Sequence, residues 1–327
     1  MTPIIHVEHL VKRYKGSQTN AVDDISFEVA AGEFFVLLGP NGAGKTTTIS
    51  ILTTTRAPTS GRVEIAAHDL VRNPNGVREN VGIIFQNPSL DQNLTAEENV
   101  RLHANMYGVY GFRPAFWMMP RTYKTQIIEL AEILGLQNEI HKPIKALSGG
   151  MKRKLEIIRS LIHHPRVLFL DEPTTGLDPM SRRSLWDYLA RVRVEKATTV
   201  FLTTHYLEEA ERADTICILN RGKIVAQGTP DQVKARLVEN YLLIDAADRD
   251  ALRQELRARA VPFVETPLFK IELNGASEKH YTPHQLLKMI DTPLTTVKLH
   301  TPTVEDAYLA ILQESEHDNN HTAPRAA

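Results

Sequence analysis

The stretch that decides the fold is GPNGAGKT, residues 39–46, which follows the apolar run FFVLL (34–38) and precedes a predicted helix. Its spacing fits the pattern GxxxxGK[ST] of a phosphate-binding loop. Glycine lacks a Cβ atom, so such a loop can wrap its backbone N–H groups around a phosphate, and the positive N-terminal end of the next helix points at the same anion. The string arises by chance in roughly one chain of this length in a hundred, so the strand, loop and helix context is the necessary confirmation.

The composition indicates a globular chain without a strong charge. Its 327 residues predict about two domains by the usual length rule, and 42% hydrophobic residues suffice for ordinary cores. Lys+Arg 38 against Asp+Glu 39 leave a net charge of -1, so no global field favours nucleic acid or an anionic membrane. Cys217 is the single cysteine, which excludes an intramolecular disulfide and fits a reducing cytosolic setting. No apolar run reaches the ~18 residues of a membrane span and no signal peptide is visible, so we expect a soluble chain.

Strand and helix patterns alternate along most of the chain. The run DISFEV (24–29) alternates as a half-exposed strand, and 34–38 is a continuous buried one. From about residue 33 to 228, strands and helices follow one another in a βαβ rhythm, which implies an α/β fold with a mostly parallel sheet covered on both sides. A helical region begins after Thr95, whose capping box with Glu98 opens an amphipathic helix.

The pattern also predicts the domain boundaries. We expect a first domain over residues 1–235, with a helical subdomain at about 90–165. Beyond it the elements become short, which predicts a small α+β domain at 236–315. A polar flexible tail is expected at 316–327.

Five further motifs follow the phosphate loop in order. They are Gln86 at the end of a buried strand, LSGGM at 147–151, VLFLDE at 167–172, GLD at 176–178 and His205 just after another strand. With these motifs, residues 4–230 resemble an ATP-binding cassette (ABC) ATPase. The resemblance implies a P-loop NTPase fold with a mostly parallel sheet, an N-terminal antiparallel β-subdomain and a helical subdomain that carries the LSGGM signature.

The resemblance implies ATP and Mg²⁺ as cofactors and assigns roles to the residues around them. The phosphates would be cradled by Gly39, Pro40, Asn41, Gly42, Ala43, Gly44, Lys45, Thr46 and Thr47. Lys45 would hold the β- and γ-phosphates, since phosphoryl transfer needs positioning and charge neutralisation. Mg²⁺ would be held by Thr46, Gln86 and Asp171.

The remaining catalytic and binding residues follow from the same resemblance. Glu172 would polarise the attacking water, a structural ion pair being the alternative. Gln86 would sense the γ-phosphate through the metal or water, and His205 would contact the γ-phosphate. Tyr14 matches the aromatic residue that stacks on adenine, although a surface tyrosine packed on the β-subdomain is the alternative. Asp178, in GLD, is expected near the nucleotide as well.

The signature raises a geometric problem that predicts a dimer. Ser148, Gly149 and Gly150 open a helix and form a second anion-binding N-terminus, yet one γ-phosphate cannot be enclosed by this loop and the phosphate loop of the same compact chain. In ABC ATPases a second copy solves the problem, because two cassettes face head to tail and the signature of one closes on the ATP of the other. We therefore expect an ATP-dependent homodimer.

The segments 82–108 and 299–312 resemble ABC-2-type exporters of the daunorubicin-resistance group, which implies an exporter of drug, lipid or other hydrophobic cargo. We expect a separate transmembrane permease as partner, a cytoplasmic location at the inner membrane surface, and no nucleic acid. A ribosome- or DNA-associated ABC ATPase is the alternative function.

Residues 108–122 are unusually apolar and either pack inside the helical subdomain or dock on the membrane partner or the bilayer.

Overall fold

The computed structural model of this chain describes residues 2–84, 89–204, 206–235, 240–273, 282–300 and 302–321. Gln86 and His205 lie outside these ranges. The chain forms two compact units, Met1–Gln227 and Gly228–Ala327. The second unit therefore begins before residue 236, where the sequence placed the boundary.

The first unit alternates strands and helices. Its strands are β1 Ile5–Arg13, β2 Asn20–Val29, β3 Phe34–Leu38, β4 Ser60–Ile65, β5 His68–Asp69, β6 Val81–Ile84, β7 Val167–Asp171, β8 Thr199–Thr203, β9 Thr215–Asn220 and β10 Lys223–Gly228, whose last residue begins the second unit. Its helices are α1 Lys45–Leu52, α2 Pro74–Asn80, α3 Ala96–Met106, α4 Arg121–Ile133, α5 Gly149–Leu161, α6 Pro179–Lys196 and α7 Leu207–Ala210. The predicted α/β fold is confirmed.

A six-stranded sheet with the order β10-β9-β3-β8-β7-β6 forms the centre of this unit. The pairs β9/β3, β3/β8, β8/β7 and β7/β6 are all parallel. Thr203, the last residue of β8, stands in register with Leu37 on one side and with Asp171 on the other. The carboxyl ends of three neighbouring strands therefore meet at one edge of the sheet, which is where open α/β sheets bind ligands.

A second, antiparallel sheet with the order β2-β1-β4-β5 confirms the predicted β-subdomain. It is joined to the central sheet by stacked phenylalanine rings. Phe27 of β2 lies 5.3 Å from Phe35 of β3, and Phe35 lies 5.0 Å from Phe201 of β8, measured between ring centroids. Aromatic pairs of this kind contribute about 0.5–1.5 kcal/mol each beyond the area they bury. The rings therefore fix the β-subdomain against the strands that carry the site.

The helices α3, α4 and α5 pack together as the predicted helical region. The predicted capping box is present at the start of α3, because the backbone N–H of Glu98 donates to Thr95 Oγ1 at 3.2 Å and the N–H of Thr95 donates to Glu98 Oε2 at 2.8 Å. Tyr123 of α4 is fully buried, and its hydroxyl donates to Glu97 Oε1 at 3.0 Å. This hydrogen bond ties α4 to α3.

The apolar segment 108–122 is partly buried, as internal packing would require, and partly exposed, as docking would require. Met119 is buried at 3% exposure, and the Phe116 ring lies 5.2 Å from the His141 ring, edge to face. Phe112 and Trp117 instead expose 65% and 76% of their surface. One half of the segment thus belongs to the core of the helical region, and the other half is an apolar surface.

The second unit is a small α+β domain. Its helices are α8 Pro230–Ala235, α9 Arg249–Ala258, α10 Pro283–Met289 and α11 Val304–His321. Its strands are β11 Tyr241–Ala246, β12 Val264–Glu265, β13 Phe269–Glu272 and β14 Leu294–His300, in the antiparallel order β12-β13-β11-β14. Leu252 and Leu256 of α9 pack on this sheet with Phe269. The helix α11 continues to His321, within the segment 316–327 for which the sequence predicted a flexible tail.

The longest helices of the described residues are α6 and α11, with 18 residues each. α6 carries basic residues in its last turn, and α11 begins with acidic ones. Among the residues that the structure describes, no helix combines the length and the apolar character that crossing a bilayer requires.

His103 of α3 makes the stability of the first unit depend on pH. Its burial, aided by the positive charge of Arg159, lowers its pKa from the ordinary 6.5 to about 3. Below pH 6.5 the unfolded chain therefore takes up a proton that the folded chain refuses, so stability is lost as the pH falls from 6.5 towards 3. We expect the free energy of unfolding of His103→Leu to fall less steeply than that of the parent chain, by up to about 1.4 kcal/mol per pH unit. Urea titrations at pH 7, 6 and 5 measure the free energy of unfolding of both chains. An equal loss of that free energy with falling pH in the two chains would contradict the role of His103.

Candidate functional site

The loop between β3 and α1 needs glycine at two positions of close approach. Gly39, Gly42 and Gly44 have φ values of +156°, +80° and +106°. A Cβ atom on Gly39 would lie 2.4 Å from the carbonyl oxygen of Leu219, and one on Gly44 would lie 2.5 Å from that of Ala21. Because Gly44 is also the N-cap of α1 and offers no side-chain cap, the first amide groups of that helix are left for a ligand. The loop and helix thus have the backbone geometry of an anion-binding cradle.

A pocket of about 310 Å³ opens above this cradle. The residues that line it are Ala21, Asn41, Gly42, Ala43, Gly44, Lys45, Thr46, Thr47, Asp171 and Glu172. The structure therefore brings together seven of the nine predicted loop residues and both carboxylates from the end of β7. Gly39 and Pro40 do not line the pocket, but their carbonyl oxygens accept hydrogen bonds from Lys45.

The ammonium group of Lys45 is folded against its own loop. Its Nζ donates to the carbonyl oxygens of Gly39 at 2.6 Å and Pro40 at 3.1 Å. Burial lowers the pKa of Lys45, while the carboxylates of Glu172 and Asp171 act in the opposite direction. The lysine is thus a partly desolvated cation, which attracts a phosphate more strongly than a cation in water would.

Asp171 and Glu172 follow one another but have different surroundings. Asp171 is 7% exposed and accepts a hydrogen bond of 2.5 Å from the Thr203 hydroxyl. Burial raises the pKa of Asp171, so the ionised carboxylate is destabilised until a cation approaches. Glu172 is half-buried and has φ +49°, in the left-handed region that residues with a side chain rarely adopt. Such strain persists only where the surrounding structure holds it.

Two buried charged residues that the sequence analysis did not single out hold the segment after β7. Arg153 of α5 donates to the carbonyl groups of residues 171–173. Glu209 of α7 accepts 2.6 Å hydrogen bonds from the hydroxyls of Thr174 and Thr204. Thr204 immediately precedes His205 in the sequence, so Glu209 ties the end of β8 to the loop after Glu172. In the sequence both resemble ordinary charged residues of amphipathic helices, which is why the pattern gave no signal.

Tyr14 lies beside the phosphate loop. Its hydroxyl is 3.2 Å from Thr47 Oγ1. The residue is 36% exposed. The Lys12 ammonium lies 5.7 Å from the centroid of its ring, and the Arg56 guanidinium lies 5.4 Å from it. Two cations thus lie within cation–π distance of an aromatic ring at the edge of the phosphate loop.

The signature residues stand apart from the pocket. Ser148 caps α5, because Met151 N donates to its hydroxyl at 3.3 Å, and Ser148 and Gly149 are both exposed. Neither of them, nor Gly150, lines the pocket above the phosphate loop. A single chain thus presents its signature to solvent instead of to its own phosphate loop.

Asp178 has a local structural role in the single chain. It caps α6 by accepting from Ser181 N at 2.9 Å, and Lys154 lies 3.6 Å from its carboxylate. The hydrogen bonds from Ser181 hold the pKa of Asp178 at about 2. Asp178 does not line the pocket either.

Comparison with known proteins agrees with this geometry. Residues 22–175 match the family model described as ABC transporter. The daunorubicin/doxorubicin resistance ATP-binding protein DrrA of Streptomyces peucetius is 36% identical over 293 residues, which span 89% of this chain and 82% of DrrA. The chain belongs to the ABC transporter family. The Nod factor export ATP-binding protein I of Ralstonia nicotianae is 41% identical over 233 residues, 71% of this chain and 69% of that protein.

Solved structures identify the type of subunit. The structure described as the ATP-binding subunit of an ABC transporter is 30% identical, with a TM-score of 0.64, and the match covers 71% of this chain and 92% of that one. A dimeric ATP-binding cassette in a post-hydrolysis state, bound to ADP and Pi, is 25% identical with a TM-score of 0.62, over 69% of this chain and 98% of that one. This chain is therefore a nucleotide-binding subunit with ATPase activity. The ribosome- or DNA-associated alternative is not favoured.

Two glycines of the loop provide a matched test of the cradle. Both Gly42 and Gly44 have positive φ, but only a Cβ atom on Gly44 would meet a neighbour, because nothing lies within 4 Å of the Cβ position at Gly42. We expect Gly44→Ala to lower the free energy of unfolding by about 1–3 kcal/mol more than Gly42→Ala and to weaken ATP binding far more. Urea unfolding and nucleotide titration measure both effects. Equal losses in the two variants would mean that the close approach to Ala21 does not matter.

Proposed function

We propose that this chain is the ATPase subunit of an exporter whose membrane-spanning permease is a separate polypeptide. Relatives that share most of its length are named for daunorubicin/doxorubicin resistance and for Nod factor export, which supports a hydrophobic or amphiphilic cargo such as a drug or lipid. The subunit would bind the permease at the cytoplasmic face of the inner membrane. The domain at the C-terminus, residues 236–315 in the sequence prediction, would be an accessory module of this subunit.

We propose that the subunit acts as an ATP-driven dimer, and the observation that supports the dimer is the separation of the signature from the pocket. Ser148 and Gly149 are exposed at the start of α5, and the first N–H groups of a helix have no acceptor within the helix and favour an anion. The phosphate loop of the same chain lines the pocket and would form one shell around the phosphates. A second copy, arranged head to tail, would place its Ser148, Gly149 and Gly150 on the other side of the γ-phosphate, with Asp178 at the boundary between the copies. ATP would thus hold two chains together, and hydrolysis would release them.

The residues at the pocket fit a magnesium ion. Thr46 and the buried Asp171 line the same pocket, and among the described residues no group of three or more His, Cys, Asp or Glu side chains could hold a metal alone. This suits Mg²⁺, which is commonly bound by one or two protein oxygens together with the phosphates of the substrate. We propose Thr46 and Asp171 as ligands, with Gln86 as a third. The ion would neutralise charge on the phosphates.

In the proposed mechanism each remaining residue has one task. Lys45 would leave the carbonyl groups of Gly39 and Pro40 to contact the β- and γ-phosphates. Glu172 would accept the proton of the attacking water, and His205 would contact the γ-phosphate from the end of β8. Tyr14 would stack on the adenine.

Replacement of Glu172 by glutamine tests the assignment of the base. The amide keeps the size of the side chain but accepts a proton poorly, so ATP should bind and not be split. We expect turnover of Glu172→Gln to fall by at least about 100-fold while ATP affinity stays within a few fold, with a stable dimer in Mg·ATP. Phosphate release, nucleotide titration and light scattering measure these quantities. Turnover at the parent rate would refute the role of Glu172, and a monomer in Mg·ATP would refute the dimer.

The exposed half of segment 108–122 would contribute to the permease contact. Trp117 and Phe112 are large apolar side chains at a surface, and aromatic residues of this kind dominate protein interfaces. We expect the double variant Phe112→Ala, Trp117→Ala to bring down several-fold less of the membrane protein that co-purifies with the parent chain. Val194→Ala, which removes a residue that is 87% exposed on α6, is the matched control and should change nothing. Unchanged association of the double variant would end the docking proposal.

A further inference from the structure

The signature helix α5 carries a buried ionic triad. Arg153, Glu156 and Arg159 follow one another at intervals of three residues, so they lie along one side of the helix. Their side chains are 5%, 2% and 13% exposed, and Glu156 lies 3.3 Å from Arg153 and 3.5 Å from Arg159. Replacing such a triad with apolar residues often leaves stability unchanged or raises it, so stability alone does not explain its presence.

One end of the triad binds the main chain at the catalytic carboxylates. The guanidinium of Arg153 donates to three successive carbonyl oxygens, those of residues 171, 172 and 173, at 3.0, 2.9 and 3.1 Å. The planar fork of arginine can serve several acceptors at once, which a lysine ammonium on a flexible stem does less well. Glu172 lies at the centre of this contact and has φ +49°. Arg153 therefore holds the backbone at the strained residue.

The other end of the triad binds the chain at Ser89. Glu156 accepts from Ser89 N at 2.6 Å, and Arg159 donates to Ser89 O at 2.7 Å and to Ser89 Oγ at 2.8 Å. On the other side of the segment 85–88, Ser160 donates to the carbonyl of Ile83 at 2.8 Å. One helix, which begins at the signature, thus contacts the chain on both sides of Gln86 and also the chain at Glu172.

We propose that Arg153 is a positioning residue for ATP hydrolysis, which holds the backbone of Glu172 in its left-handed conformation. Through Glu156 and Arg159 it would also make the signature helix, the chain at Ser89 and the Glu172 backbone move as one body. The carboxylate of Glu172 would then be aimed at water only when α5 is in place. This inference rests on the proposed role of Glu172 as the base.

The first test is the kinetics of Arg153→Met and Arg153→Lys. A misplaced Glu172 slows the chemical step but leaves the phosphate loop intact, so kcat should fall by about 10- to 100-fold in Arg153→Met while KM for ATP changes by less than about threefold. Arg153→Lys keeps the charge and part of the hydrogen bonding and should recover part of kcat. Equal kcat in the parent and Arg153→Met would overturn the inference, and so would a rise in KM without a change in kcat.

Arg101 of α3 provides a matched control. Its side chain is 11% exposed, it pairs with Glu97 at 3.0 Å and it also donates to a backbone carbonyl, that of Arg113. Among the described residues, its hydrogen bonds and ion pairs are with Glu97, Glu98 and Arg113, and not with the chain at β7. Arg101→Met should therefore lower the melting temperature without lowering kcat. A fall in kcat as large as that of Arg153→Met would show that the loss of any buried arginine has the same effect.

A double variant separates this inference from the proposed role of Glu172. If Arg153 acts through Glu172, adding Arg153→Met to Glu172→Gln should slow the residual turnover by less than about twofold, because the effects of residues that act as a unit are not additive. A further 10- to 100-fold loss would mean that Arg153 acts independently, which overturns the inference. If Glu172→Gln alone turns over at the parent rate, the role of Glu172 fails instead. Should Arg153→Met not fold, the same cycle with Arg153→Lys decides.

Discussion

The structure depends on the register of three parallel strands. Leu37 of β3, Thr203 of β8 and Asp171 of β7 stand in one row across the central sheet. The phosphate loop therefore starts two residues beyond Leu37, at Gly39. Asp171 stands in the row itself, and Glu172 and Thr204 each follow it by one residue. A slip of one residue in either pair would turn alternate side chains to the other face of the sheet and remove the Thr203 hydrogen bond to Asp171. The buried aromatic rings that join β2, β3 and β8 oppose such a slip.

Around this row, buried charges hold a strained backbone. Glu172 occupies the left-handed region, and its neighbours are fixed from two directions, by Arg153 of α5 and by Glu209 of α7. Burying charged groups is costly unless polar partners compensate for the lost water. Arg153 pairs with Glu156 and donates to three carbonyl groups, and Glu209 accepts from two threonine hydroxyls. The strain and the charges that hold it are found at the end of β7, where a catalytic carboxylate is proposed. This is the kind of place where strain is retained for function.

Much of the fold and the site could be predicted from the sequence, because both depend on local patterns. The glycines of 39–46 and the apolar runs of β3 and β7 indicate strand, loop and helix without reference to the rest of the chain. The pattern did not single out β1, whose alternation is interrupted where His9 has φ +49° and the register shifts. It also placed the domain boundary after α8, because a short helix does not show which unit it packs in. Arg153 and Glu209 escaped prediction because their partners are backbone carbonyls and threonine hydroxyls brought close only by the fold.

If one chain holds only half of each catalytic site, two inactive variants should complement each other when they are mixed. Lys45→Ala removes the phosphate contact but leaves the signature intact, whereas Ser148→Arg blocks the signature but leaves the phosphate loop intact. A mixed dimer has one complete site, formed by the phosphate loop of the Ser148→Arg chain and the signature of the Lys45→Ala chain. ATP turnover of the mixture should therefore rise well above that of either variant alone. A mixture no more active than its components, or a Ser148→Arg chain that alone turns over ATP at the parent rate, would contradict the account.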